Sequence, residues 1–140
     1  MSADFMLDSG ALAALQRDRT RLLALVDLAH AEGRTLRTSV VVVTEFLGYS
    51  PRALRLAGEY VLSRLSVSPL AEPRARRAAA LIHAALDDDG RARPSAIDAI
   101  VAAEAEARDA ALMFDGDRRD FEALAEASGQ LEIEALADLV

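Results

Sequence analysis

The chain has 140 residues, 52% of them hydrophobic, which fits one ordinary domain that can bury a core. It contains no cysteine, and all 16 of its basic residues are arginine; disulfides, thiolate metal sites and catalytic or phosphate-binding lysines are therefore excluded. The formal net charge of −7 argues against a broad nucleic-acid-binding surface, which needs clustered basic residues.

Strand-like and helix-like patterns alternate along the chain, which predicts an α/β fold with a parallel or mostly parallel sheet and helices on its faces. The predicted strands are residues 5–7, 35–43, 65–68, 110–114 and, at one edge, 131–133. The predicted helices are residues 11–16, 19–32, a helix from Thr44 that restarts at Ser50 and Pro51, and then residues 73–86, 97–108 and 118–127. Gly33 is the predicted C-cap of the second helix, and Ser95 the predicted N-cap of the helix at 97–108.

Four carboxylates are the candidate functional residues: Asp8, Glu45, Asp98 and Asp117. Three of them follow predicted strands, and Asp98 opens a predicted helix. Because the carboxyl ends of parallel strands share one edge, where ligands bind, these acids are expected to converge. Such a cluster repels itself unless a divalent cation neutralises it, and oxygen ligands suit Mg²⁺ or Mn²⁺. The pattern therefore indicates metal-dependent phosphate chemistry.

Each acid taken alone has a structural explanation, because acids cap helices and suit the positive end of the helix dipole. Capping does not explain why Asp115 and Asp117 flank a glycine, nor why several acids share one predicted edge. We therefore favour a joint metal site over separate caps. Arg91 and Arg93 adjoin the predicted site, and arginine binds phosphate through two parallel hydrogen bonds.

The N-terminal segment carries Asp4 and Asp8 and has no basic stretch followed by an apolar run, so no signal peptide is predicted. No apolar stretch approaches the roughly 18 residues that suggest a membrane span. A cytoplasmic protein that does not engage membranes is the expectation.

Four sequence segments carry a resemblance to a known family. They are residues 5–12 (FMLDSGAL), 41–47 (VVVTEFL), 97–103 (IDAIVAA) and 115–124 (DGDRRDFEAL). In order and spacing they resemble the PIN-domain ribonucleases, most closely the VapC-type toxins of bacterial toxin–antitoxin pairs. The resemblance covers essentially the whole chain.

The resemblance implies one PIN-like domain over residues 1–140, an α/β/α sandwich with a central, mostly parallel sheet of four to five strands. It implies that Asp8, Glu45, Asp98 and Asp117 bind Mg²⁺ or Mn²⁺ and that RNA is hydrolysed by metal-activated water. It also implies a homodimer held inactive by a cognate antitoxin.

One departure from the family pattern falls beside the fourth acid. Asp115 stands where the family generally has threonine or serine, so it is an additional candidate metal ligand. Ser9 keeps the small hydroxyl residue that often follows the first acid, and it is a candidate supporting residue together with Arg91 and Arg93.

Two other functions fit the same residues. The first is a non-catalytic PIN-like module that binds a basic protein segment in its acidic pocket, with an arginine placed among the carboxylates. The second is a nuclease with the same site that acts on DNA, which a comparison of RNA with its deoxy equivalent would distinguish.

Overall fold

The computed structural model describes residues 3–86 and 93–140. Their five strands form one sheet in the order β3-β2-β1-β4-β5, and every neighbouring pair is parallel. The strands are β1 (Phe5–Leu7), β2 (Leu36–Ser39), β3 (Ser66–Ser68), β4 (Ala111–Phe114) and β5 (Ile133–Ala135). The predicted parallel sheet is confirmed, and with the helices that flank it the chain forms an α/β/α sandwich.

Seven α-helices lie in the described residues. They are α1 (Ser9–Arg17), α2 (Arg19–Glu32), α3 (Val40–Tyr49), α4 (Arg55–Ser63), α5 (Glu72–Ala85), α6 (Ala96–Ala107) and α7 (Arg119–Ser128). Short 3-10 turns lie at Arg52–Leu54 and Leu136–Asp138. None of these helices is long and apolar enough to cross a membrane.

The centre of the sheet is the most apolar part of the core. All residues of β1 and β4 are buried, and full burial of one large apolar side chain contributes about 1.5–3 kcal/mol. The register pairs Phe5 with Ala111 and Leu7 with Met113. Since β1 and β4 end together, the residues that follow them lie side by side at the carboxyl edge of the sheet.

The end of β2 differs from the sequence prediction. The strand predicted over residues 35–43 stops at Ser39, and α3 begins at Val40 rather than at Thr44. Valine favours strands because its side chain packs well on a pleated surface, but tertiary context overrides that preference. Here the Ser39 hydroxyl accepts a hydrogen bond from the Val41 backbone N–H at 3.4 Å and caps the helix.

Other boundaries also moved, and two of them changed the interpretation. Ser50 does not open a new helix; its hydroxyl donates to the Phe46 carbonyl at 2.6 Å and closes α3, and α4 begins only after the 3-10 turn. The last strand lies two residues later than predicted, although it is an edge strand as expected. Both helix caps are confirmed, because Gly33 adopts φ +67° and Ser95 accepts a hydrogen bond from the Asp98 N–H.

Candidate active site

Asp8 lies at the centre of the carboxyl edge, directly after β1. Its side chain caps α1 by accepting a hydrogen bond from the Ala11 backbone N–H at 2.7 Å, and the residue is only 6% exposed. Burial, together with the nearby charges of Asp98, Asp115 and Glu45, raises the pKa of Asp8 to about 7 against the lowering effect of that hydrogen bond. Asp8 is therefore both a helix cap and a carboxylate held close to other acids.

Asp98 faces the same edge from the first turn of α6. Burial raises the pKa of this carboxyl, hydrogen bonds with Ser95 oppose the rise, and the charges of Glu45 and Asp120 add to it. A structural cap gains nothing from such repulsion, whereas perturbed carboxylates cluster at functional sites. Asp98 thus belongs to the same electrostatic group as Asp8.

Glu45 reaches the site from the middle of α3, not from the end of a strand as predicted. Its position depends on Ser9, whose hydroxyl donates a hydrogen bond to the Glu45 carboxylate across the gap between α1 and α3. The predicted supporting residue and the predicted acid therefore contact each other. Helix α3 carries Glu45 to the edge because it begins earlier than the valine run suggested.

The turn after β4 brings Asp115 beside Asp8. The Asp115 carbonyl oxygen lies 3.0 Å from where a Cβ atom at position 10 would stand, and both Asp8 carboxylate oxygens lie 3.6 Å from that point. Glycine at position 10 thus permits the close approach of the β4 turn to α1. The charge of Asp115 acts on Asp8 as a consequence of this packing.

Asp117, by contrast, engages an arginine of its own segment. Its Oδ2 atom accepts hydrogen bonds from Nε and Nη2 of the Arg119 guanidinium, at 3.0 and 2.7 Å, and its Oδ1 atom accepts one from the Arg119 backbone N–H at 3.0 Å. These bonds lower the pKa of Asp117. Both side chains are exposed, so the structure brings Asp8, Glu45, Asp98 and Asp115 together and leaves Asp117 at the margin.

Asp120 is a further acid of this edge that the sequence interpretation did not single out. It lies in the first turn of α7, its charge raises the pKa of Asp98, and it accepts a hydrogen bond from the Arg93 backbone N–H at 3.0 Å. The feature of the sequence that could have identified Asp120 is its position three residues after Asp117. Arg93 is exposed at this edge, and Arg91 lies outside the described residues.

The donor set matches a hard divalent cation, because it consists of carboxylate oxygens whose mutual repulsion a cation would relieve. In residues 3–86 and 93–140, no three acids are arranged closely enough to form a ready cation site. A cation would therefore bind by drawing these side chains inward, which the exposed Asp115 and Asp117 can do more readily than the buried Asp8.

Solved structures with the same fold include complexes of the VapBC type. VapBC-1 from nontypeable Haemophilus influenzae matches with a TM-score of 0.69 and 17% identity over 95% of this chain and 98% of that chain. DNA-bound VapBC from Salmonella typhimurium matches with a TM-score of 0.68 and 20% identity, over 96% and 98%. VapBC2 from Rickettsia felis, bound to a promoter DNA fragment, has a TM-score of 0.68 and 17% identity, over 94% and 97%.

At these identities the structural similarity establishes the fold alone, and comparison with curated proteins gives no match. The sequence itself matches the family model of the PIN domain over residues 5–127. That range contains every acid of the candidate site, from Asp8 to Asp120. The chain belongs to the PIN domain family.

Proposed function

We propose that this protein is a metal-dependent endoribonuclease, a VapC-like toxin that hydrolyses RNA phosphodiester bonds. The observation that carries the proposal is the convergence of Asp8, Glu45 and Asp98 on one sheet edge, where burial and mutual charge raise the pKa values of the two aspartates. Helix capping gives no reason for these carboxylates to lie close together. A shared cation gives a reason for bringing them together.

The residues that would hold Mg²⁺ or Mn²⁺ are Asp8, Glu45, Asp98 and Asp117, with Asp115 as a further ligand. When bound, such an ion lowers the pKa of a coordinated water and stabilises negative charge on phosphoryl oxygens. The proposal for Asp117 requires that its carboxylate leave the Arg119 guanidinium. Asp115 needs no such exchange, because its charge already acts on Asp8.

The remaining chemistry falls to the side chains around the acids. Glu45 would complete the metal site or orient the attacking water, and the hydrogen bond from Ser9 would hold its carboxylate in place for that role. Arg93, which is exposed and tied to Asp120 through its backbone, would contact the RNA phosphates together with Arg91. In this scheme Ser9 is a positioning residue and the acids are catalytic.

The partners follow from the family and from the solved structures. We propose that a cognate antitoxin inhibits the protein, since the similar structures are VapBC complexes, and that the toxin forms a homodimer. We further propose that residues 1–140 act as a single domain in the cytoplasm.

The test is cleavage of a mixed RNA pool, with transfer and ribosomal species, by the purified antitoxin-free protein in Mg²⁺, Mn²⁺ or EDTA. Wild type, Asp98→Asn and the matched surface variant Asp27→Asn are compared, because Asp27 is exposed on α2. We expect discrete metal-dependent cuts from wild type and Asp27→Asn and none from folded Asp98→Asn. Cuts that persist in Asp98→Asn, or that survive EDTA, would contradict the assignment.

The alternative is a non-catalytic module whose acids bind a basic protein segment. The Asp117–Arg119 pair favours it, because it places a guanidinium on one of the candidate acids. Metal-independent binding of an arginine-bearing peptide, by a protein that cuts neither RNA nor its deoxy equivalent, would support this alternative. Cleavage of the deoxy substrate alone would instead indicate a DNA nuclease.

A further inference from the structure

A cavity opens beside the candidate active site on the outer face of α3. It has a volume of about 680 Å³ and is lined by Val41, Thr44, Glu45, Gly48, Tyr49 and Ile97. Ligand pockets of this size typically combine apolar walls with a few polar groups. Glu45 is shared between this cavity and the acid cluster, so a molecule in the cavity lies next to the proposed site of phosphate chemistry.

The Tyr49 ring is the most unusual feature of this cavity. It is 87% exposed, whereas the ring of Tyr60 is partly buried and covered by the Arg19 guanidinium at 4.4 Å. Tyr49 follows Glu45 by one helical turn. The two residues also line a second, smaller cavity. The ring therefore lies one helical turn from Glu45 with most of its surface exposed to solvent.

The glycine at position 48 is consistent with a ligand in this cavity. Gly48 is the residue before the last residue of α3, and a Cβ atom at position 48 would meet nothing within 4 Å. Packing within the described residues therefore does not require glycine there. Because position 48 has no side chain, the cavity stays open next to the Tyr49 ring.

We propose that this cavity holds one unpaired nucleobase of the RNA, stacked on the Tyr49 ring, next to the phosphate that is cut. The inference rests on the proposed nuclease function, since the acids determine where the phosphate lies. A base fits the observations because it has a flat apolar face for the ring and polar edges for the exposed Thr44 hydroxyl. The substrate is then single-stranded or looped at the cut, because a paired base cannot enter.

The first experiment uses the tyrosine fluorescence of the protein. The chain has two tyrosines and no tryptophan, so in Tyr60→Phe the only tyrosine signal comes from Tyr49. This variant is titrated in Mg²⁺ with hexa-adenylate and with an abasic oligomer of equal length and charge, and the oligomers are checked for integrity afterwards. We expect hexa-adenylate to quench the fluorescence and the abasic oligomer not to do so. Equal effects of the two oligomers would overturn the proposal.

The second experiment uses cleavage kinetics on a substrate that the wild type cuts. Tyr49→Leu should raise KM about tenfold, in the range of base–aromatic stacking, while Tyr49→Phe keeps the wild-type value. Gly48→Leu fills the cavity and should weaken RNA binding without lowering the melting temperature. The matched control is Leu56→Ala, which removes an equally exposed apolar side chain from α4.

The outcomes separate the two proposals. Quenching by hexa-adenylate in a protein that cuts no RNA would remove the nuclease and keep the base site. Normal cleavage by Tyr49→Leu would keep the nuclease and remove the base site. If Tyr49→Leu and Gly48→Leu instead change the sedimentation behaviour and leave RNA affinity untouched, the face is a protein contact surface and the base site is refuted.

Discussion

The Ser9 hydroxyl donates a hydrogen bond to the carboxylate of Glu45, 36 residues away in sequence. This contact ties the start of α1, next to Asp8, to the middle of α3. It is the direct physical link between the acid that follows β1 and the acid carried by α3. Its loss would leave Glu45 free to adopt other side-chain rotamers at the edge of the sheet.

Replacing Ser9 by alanine should lower kcat by roughly 10- to 100-fold, as is usual when a ligand loses its supporting hydrogen bond. Ser9→Thr keeps the hydroxyl and should retain most activity. Steady-state kinetics and melting temperatures of both variants check this. Full activity of Ser9→Ala would mean that the hydrogen bond does not position Glu45 for catalysis.

The metal-free protein should lose stability as the pH rises from about 4 to about 7. Asp8 has a folded-state pKa of about 7 against an ordinary value of 3.8, so between these values the unfolded chain releases a proton that the folded chain retains. Stability then falls by about 1.4 kcal/mol per pH unit over that interval. Urea unfolding in EDTA measures the slope.

Asp8→Asn should flatten that pH dependence, because asparagine does not titrate. Mg²⁺ should raise the stability of the wild type more at high pH than at low pH, since protons and the cation compete for the same carboxylates. Added NaCl of equal ionic strength is the control. An unchanged slope in Asp8→Asn would show that another group causes it.

Gly10→Ala should disturb the site more than the fold. Alanine favours the helix by about 0.5–1 kcal/mol over glycine, but at position 10 its methyl group would press on the Asp115 carbonyl oxygen. We expect little net change in unfolding free energy and a clear loss of cleavage. Gly48→Ala, whose methyl meets nothing, serves as the stability control and should be more stable than Gly10→Ala. Equal stabilisation by both variants would contradict the predicted contact.

Arg119→Gln should strengthen Mn²⁺ binding, because it releases the Asp117 carboxylate from the hydrogen bonds of the Arg119 guanidinium. The gain should be no more than about fivefold, since water screens exposed charges strongly. Calorimetric titration measures it, with Arg64→Gln at the opposite edge of the sheet as the control. Unchanged Mn²⁺ binding in Arg119→Gln would indicate that Asp117 is not a ligand.

Local patterns along the chain predicted much of the fold. Apolar strands such as Phe5–Leu7, the C-cap Gly33 and the N-cap Ser95 are short-range features, because backbone preference and capping depend on neighbouring residues. The parallel arrangement also followed from the alternation of strands and helices. The parallel arrangement in turn predicted that Asp8 and Asp98 lie at the same edge of the sheet.

By itself the sequence therefore determined the class of fold, and it predicted the acids of the carboxyl edge except Asp120. Only the tertiary structure decided that α3 begins at Val40 and brings Glu45 to Ser9, and that Gly10 admits Asp115. The reason is that such contacts join residues whose encounter depends on how whole elements pack. A run of valines encodes apolar surface equally well in a strand or a helix, and only the packing around it selects between them.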